Sequence, residues 1–106
     1  MIIYVDIDNT ICTTIGTNYE SATPIPKRIE HINKLYEEGH TIIYWTARGS
    51  GTPNDITRIN NIKELTFNQL RSWNCYYTKL SVAEKPIYDL LIDDKALSDN
   101  HYFIGT

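Results

Sequence analysis

Two acids close an apolar run near the start of the chain, and no other feature restricts the fold as tightly. Ile2-Ile3-Tyr4-Val5 is apolar and partly β-branched, and Asp6-Ile7-Asp8-Asn9-Thr10 follows at once. A short continuous apolar run of this kind predicts a buried strand of a parallel sheet. Residues i and i+2 share one side of a pleat. Asp6 and Asp8 therefore start out on one side, where the strand opens into a loop. Two like charges about 4 Å apart repel by roughly 4 kcal/mol at an effective dielectric of 20. A cation, a shared proton or full solvation must offset that repulsion. A hydrated acidic turn meets the requirement as well as a metal site does, so the pair alone assigns nothing.

The residues that follow place further polar groups relative to that strand. The stretch 9–23 is rich in Thr, Asn and Gly. Within it, Ile11 to Ile15 followed by Gly16 to Tyr19 predicts a small β-hairpin or flap. Pro26 suits the first turn of a helix. Ile25, Ile29, Ile32, Leu35 and Tyr36 recur at helical spacing, and Gly39 ends the helix. Thr41 to Trp45 is the second strand, and strand–helix–strand implies a right-handed crossover and a parallel pair. Thr46-Ala47-Arg48-Gly49 comes next, so polar groups from two strands end on the same edge. Ligands of open α/β sheets bind at this carboxyl edge. After a loop over Gly49 to Asp55, residues Ile62, Leu65, Thr66, Leu70 and Trp73 predict a second helix, with 56–61 left open. Asn74 is placed to cap it. Cys75 to Thr78 is the expected third strand. Tyr88 to Ile92 is the fourth; Lys85-Pro86 precedes it and Asp93-Asp94 ends it. The expected architecture is a single α/β domain over 1–106 with a parallel sheet.

Composition removes several function classes. The chain has 106 residues, 42% apolar and 22% charged, which suits one folded domain with a modest core rather than a disordered segment. The net charge of −3 argues against a basic nucleic-acid surface. No apolar run approaches the length of a membrane span. Met1 leads into the first strand without the pattern of a signal peptide. Cys12 and Cys75 have neither metal-ligand nor disulfide-scaffold spacing and are expected as free thiols of a cytoplasmic protein. His31, His40 and His101 make no metal-ligand pattern. The eight tyrosines are expected to pack rather than to bind.

An acidic D-x-D after strand one, a Thr after strand two, a Lys before strand four and Asp-Asp after it form an ordered set. In Asp6-Ile7-Asp8-Asn9-Thr10, Thr46-Ala47-Arg48, Lys85-Pro86 and Ile92-Asp93-Asp94, the chain resembles the haloacid-dehalogenase-like phosphohydrolases. The runs Asn33 to Gly39 and Ile42 to Gly49 look most like small members associated with bacterial capsule or surface-polysaccharide synthesis. The resemblance implies a Rossmann-like three-layer fold with a parallel sheet of strand order near 3-2-1-4, and Mg2+-dependent hydrolysis of a phosphomonoester through an aspartyl-phosphate. It implies Asp6 as nucleophile and metal ligand. It implies Asp8 as acid and base, holding the metal through its main-chain carbonyl, and Asp93 as a further ligand. Asp94 would orient a ligand of the metal. Thr46 and Lys85 would hold phosphoryl oxygens, with Lys79 as the substitute if Lys85 is misplaced. Ala47 and Arg48 would contact substrate, although a solvated loop arginine suits Arg48 equally. Asn9 stands where many members have glycine, and Asn tolerates the left-handed turn.

The segments between these motifs leave no room for a separate cap domain. An open site should accept a phosphate on a bulky molecule, expected to be a phosphorylated sugar, or be completed by a second copy in a homo-oligomer. Two other readings fit the same residues. One is a phosphate-ligand or protein-binding module that has lost turnover. The other is a nucleotide or nucleic-acid-end phosphatase, which the net charge disfavours. A receiver domain places its acidic pair before the strand that carries the phosphorylated Asp, the reverse of the order here.

Overall fold

The computed structural model describes residues 1–51, 54–83 and 90–92. Among them, β1 (Ile2–Asp6), β4 (Thr41–Thr46), β5 (Lys79–Val82) and β6 (Leu90–Ile92) form a four-stranded sheet of order β5-β4-β1-β6. All of its pairings are parallel. Numbered as core strands, this is the expected order 3-2-1-4. β1 lies at the centre, with Ile3 against Ile42 on one side and Leu90 on the other. Two-sided pairing and burial suit its apolar run.

Helix α1 (Pro26–Glu37) links β1 to β4, and α2 (Ile56–Ser72) links β4 to β5. Both crossovers step in the same direction along the sheet, so right-handedness puts both helices on one face. The core reflects this arrangement. Ile3, Val5, Ile42 and Tyr44 of the sheet meet Ile29 and Ile32 of α1 and Leu70 of α2. The third layer of the expected sandwich falls outside the described residues.

Local chemistry sets the helix ends. Pro26 occupies the first turn of α1, where its missing N–H costs nothing. Gly39 takes φ +98° beyond its end. The Gly39 N–H donates to Tyr36 O and the His40 N–H to Leu35 O, a Schellman closure. α2 begins at Asp55, whose carboxylate accepts the Arg58 N–H at 3.0 Å. This resolves the stretch 56–61 as helix. α2 ends with Asn74 at φ +58° in the same kind of closure, with Cys75 N–H on Leu70 O.

Two expectations shift. The flap is real but paired differently: β2 (Cys12–Thr13) runs antiparallel to β3 (Thr23–Pro24), and residues 14–22 form the excursion between them, with a 3₁₀ turn at Tyr19–Ser21. The third core strand is Lys79–Val82, not Cys75 to Thr78. Cys75 and Tyr77 instead pack on the core as the chain leaves α2. Thr78 makes the approach to β4, donating to Ile42 O and accepting the Ile42 N–H on its hydroxyl. No helix among the described residues is long and apolar enough to cross a membrane.

Candidate active site

β1 and β4 end side by side at the carboxyl edge, with Asp6 opposite Trp45 and Thr46 one residue further on. The D-x-D turn is held by main-chain bonds. Thr10 N–H and Ile11 N–H both donate to Ile7 O. Asn9 takes φ +61°, so the left-handed turn survives without glycine. Its side-chain oxygen also accepts the Thr14 N–H at 3.1 Å, tying the turn to the flap.

The two acids have different surroundings. Asp6 is half-buried at the strand end, and its Oδ1 accepts the Ile7 N–H at 2.9 Å. Asp8 is gripped by Arg48. Nη2 donates to Oδ1 at 2.8 Å and Nε to Oδ2 at 2.9 Å, a side-on fork. Thr14 Oγ1 adds a bond to Asp8 Oδ1 at 2.6 Å. Thr46 Oγ1 approaches Oδ2 at 3.5 Å. Like-charge repulsion in the D-x-D pair is thus offset in part by a guanidinium.

Arg48 lies inside the protein, 1% exposed. Arg48 is therefore not a solvated loop arginine. Its remaining nitrogen, Nη1, donates to Thr66 Oγ1 at 3.1 Å and Gln69 Oε1 at 2.6 Å. Its carbon Cζ sits 4.7 Å from the centre of the Tyr19 ring, a cation–π contact. Gln69 in turn donates from Nε2 to Tyr19 O at 2.6 Å. The guanidinium that was expected against substrate is therefore occupied by protein partners.

Thr46 is fully buried, and its Oγ1 accepts the Arg48 N–H at 3.1 Å, closing the turn after β4. Ala47 is exposed beside it. Gly49 takes φ +84°, and a Cβ there would lie 3.2 Å from Ile62 Cδ1, so turn and helix meet closely. Lys79 starts β5, exposed and level with Ile43, three residues before the carboxyl edge. That position does not suit it as a substitute for Lys85. Lys85, Asp93 and Asp94 lie outside the described residues, as do Asp99 and His101.

Thr14, Tyr19, Thr66 and Gln69 were not anticipated. Thr66 and Gln69 did carry a signal: they are polar residues one turn apart on the buried stripe of α2, between Ile62 and Leu70. Uncharged polar groups inside an apolar stripe require a buried partner. Cys12 is also buried in this region, its Sγ 3.5 Å from Ile7 O and from Thr14 Oγ1. Burial pushes its thiol above the usual range.

Beyond Tyr19, a groove of about 720 Å³ separates the flap from the N-terminal half of α2. Asn18, Glu20, Asp55, Thr57, Arg58 and Asn61 line it together with Tyr19, Ile62 and Leu65, so its lining is mixed polar and apolar. It opens at the same edge of the sheet, because α2 starts from the carboxyl end of β4.

No protein-family model matches this sequence. No curated protein matches it either. Solved structures do share its fold. A structural-genomics target from Vibrio cholerae superimposes with a TM-score of 0.75 at 22% identity, covering 96% of this chain and 86% of that one. A D,D-heptose 1.7-bisphosphate phosphatase from B. bronchiseptica, complexed with magnesium and phosphate, superimposes with a TM-score of 0.53 at 16% identity. That match covers 83% of this chain, which spans about half (52%) of the phosphatase. The shared fold is a Rossmann-like α/β fold with a parallel sheet, and no cap domain occurs among the described residues. At these identities the likeness concerns the fold, and the chemistry is argued from the residues.

Proposed function

We propose that this chain is a phosphomonoester hydrolase of the haloacid-dehalogenase kind, with Asp6 as nucleophile and Asp8 as acid and base. The observation that carries this reading is the meeting of Asp8, Thr46 and Arg48 across two neighbouring parallel strands, beside Asp6. An Asp6 carboxylate oxygen attacks phosphorus as the bond to the leaving alkoxide breaks. Asp8 gives its proton to that alkoxide. Water then attacks phosphorus, Asp8 takes the proton back, and the Asp6 carboxylate is released with inorganic phosphate. The Thr46 hydroxyl and Lys85 supply donors to the phosphoryl oxygens.

Mg2+ suits the donors present. The Asp6 carboxylate and the Asp8 main-chain carbonyl are hard oxygen ligands, with Asp93 proposed as the third and Asp94 as its support. Among the described residues no group of three metal-ligating side chains occurs. When bound, the ion screens the repulsion between an anionic nucleophile and a phosphate dianion.

The substrate we propose is a phosphorylated sugar or a related intermediate, as in surface-polysaccharide synthesis. The named substrate of the heptose-bisphosphate phosphatase supports this class. So does the flap groove, whose amide, hydroxyl and carboxylate groups suit a hydroxyl-rich molecule. Wild-type protein should hydrolyse an aryl phosphate steadily with Mg2+, and lose that activity on chelation and in Asp6→Asn. Phosphate binding without turnover would instead make the chain a binding module.

A further inference from the structure

Arg48 has no role in the chemistry above, yet it is the largest fully buried side chain in the described structure. A buried charge is costly unless each of its donors finds a partner. All three guanidinium nitrogens are used: two on Asp8, the third shared by Thr66 and Gln69. The ring of Tyr19 covers its face, and Gln69 bonds the main chain of that same residue. Tyr19 opens the 3₁₀ turn of the flap excursion. An unbroken set of contacts therefore runs from the flap, through Gln69 and Arg48, to the carboxylate of Asp8.

We propose that Arg48 is a positioning residue for Asp8, and that the flap turn at Tyr19 sets its grip through Gln69 and the Tyr19 ring. This rests on the assignment of Asp8 as acid and base. The fork leaves the two carboxylate oxygens unequal. Among the described residues Oδ1 receives Arg48 Nη2 and Thr14 Oγ1 at short distance, whereas Oδ2 receives Arg48 Nε and a long approach from Thr46. Oδ2 is thus the less encumbered oxygen, and Arg48 fixes its direction. Lysine at 48 would keep the charge but lose the planar fork and the ring contact. When the flap turn lifts, Arg48 loses its cover and Gln69 its acceptor, and Asp8 loses its fixed orientation. Proton transfer is then efficient only with the flap seated.

Leaving-group dependence separates this role from a structural one. An aryl phosphate with an acidic phenol leaves without protonation, whereas an alkyl phosphate requires it. The ratio of kcat/KM for the two substrates reads the acid step alone. In Arg48→Lys, kcat/KM for the alkyl phosphate should fall by about 100-fold and that for the aryl phosphate by about 10-fold or less. Gln69→Met and Tyr19→Ala should show the same bias in smaller measure. Equal losses on both substrates, in variants that keep the wild-type circular dichroism, would overturn the proposal. Turnover absent from the wild type would refute the phosphatase reading instead. The linkage is then read from the Arg48 Nε–H resonance in NMR. Its protection from solvent exchange should drop in Gln69→Met and Tyr19→Ala, and unchanged protection would refute the linkage.

Discussion

Asp6 and Asp8 lie two residues apart, and their neighbours divide the work between them. Asp8 is 21% exposed, and its Arg48 partner is fully covered. Removing one partner of such a pair leaves a charge with poor solvation, which typically costs about 3–5 kcal/mol. Arg48→Met should therefore lower stability in urea by several times more than Asp6→Asn, which leaves that ion pair intact. The thiols give a pH prediction. Burial pushes Cys75 up to about 12 from an ordinary 9.0, and burial raises Cys12, Tyr44 and Tyr77 in the same direction. A raised folded-state pKa means that the unfolded chain releases its proton first. The Cys75 contribution is fully present below about pH 9 and is lost as pH rises toward about 12. Urea midpoints should fall over that window, less steeply in Cys75→Ala. An unchanged slope in that variant would show that Cys75 is not responsible.

At the scale of the element, the caps hold α1 and α2 in place under the site. Asp55→Ala removes the acceptor of the Arg58 N–H and should cost about 1 kcal/mol. Gly39→Ala forces a Cβ into φ +98° and should cost about 1 kcal/mol, although nothing blocks the added atom. Chemical denaturation of both variants measures this, and a neutral Gly39→Ala would show that the turn relaxes. Elements with a strong period or a punctuating residue were legible in the sequence: β1, α1 with Pro26 and Gly39, and β4. The strand after α2 was not. Cys75-Tyr76-Tyr77 has strand-like residues, but β propensity cannot distinguish a strand from a segment crossing the core toward one. The partner decides, and β4 begins its register with β5 only at Lys79.

Across the described residues, the sheet and one helical layer enclose a core at the level of Ile3, Val5, Ile32 and Leu70. Ile32 is completely buried there. Ile32→Ala should cost about 2–5 kcal/mol, as transfer and cavity terms add. A loss below 1 kcal/mol, read from urea unfolding, would mean that α1 collapses onto the gap. Among the described residues no cap stands over the carboxyl edge, and the flap lies beside it with the turn after β4 and the start of α2. Its link to Arg48 makes the flap part of the site rather than a cover over it.

The residue order alone determined the parallel pairing of β1 and β4 and the edge where Asp6, Asp8 and Thr46 collect. Those follow from apolar periodicity, right-handed crossovers and the strand ends, all of which are local or topological rules. Tertiary structure decided the placing of β6 beside β1 and what Asp8 touches. Residues 8, 14, 19, 48, 66 and 69 meet only because the β1–α1 connection, the turn after β4 and helix α2 come together at one edge. A buried guanidinium needs partners from several directions at once, and no spacing within a single element encodes that.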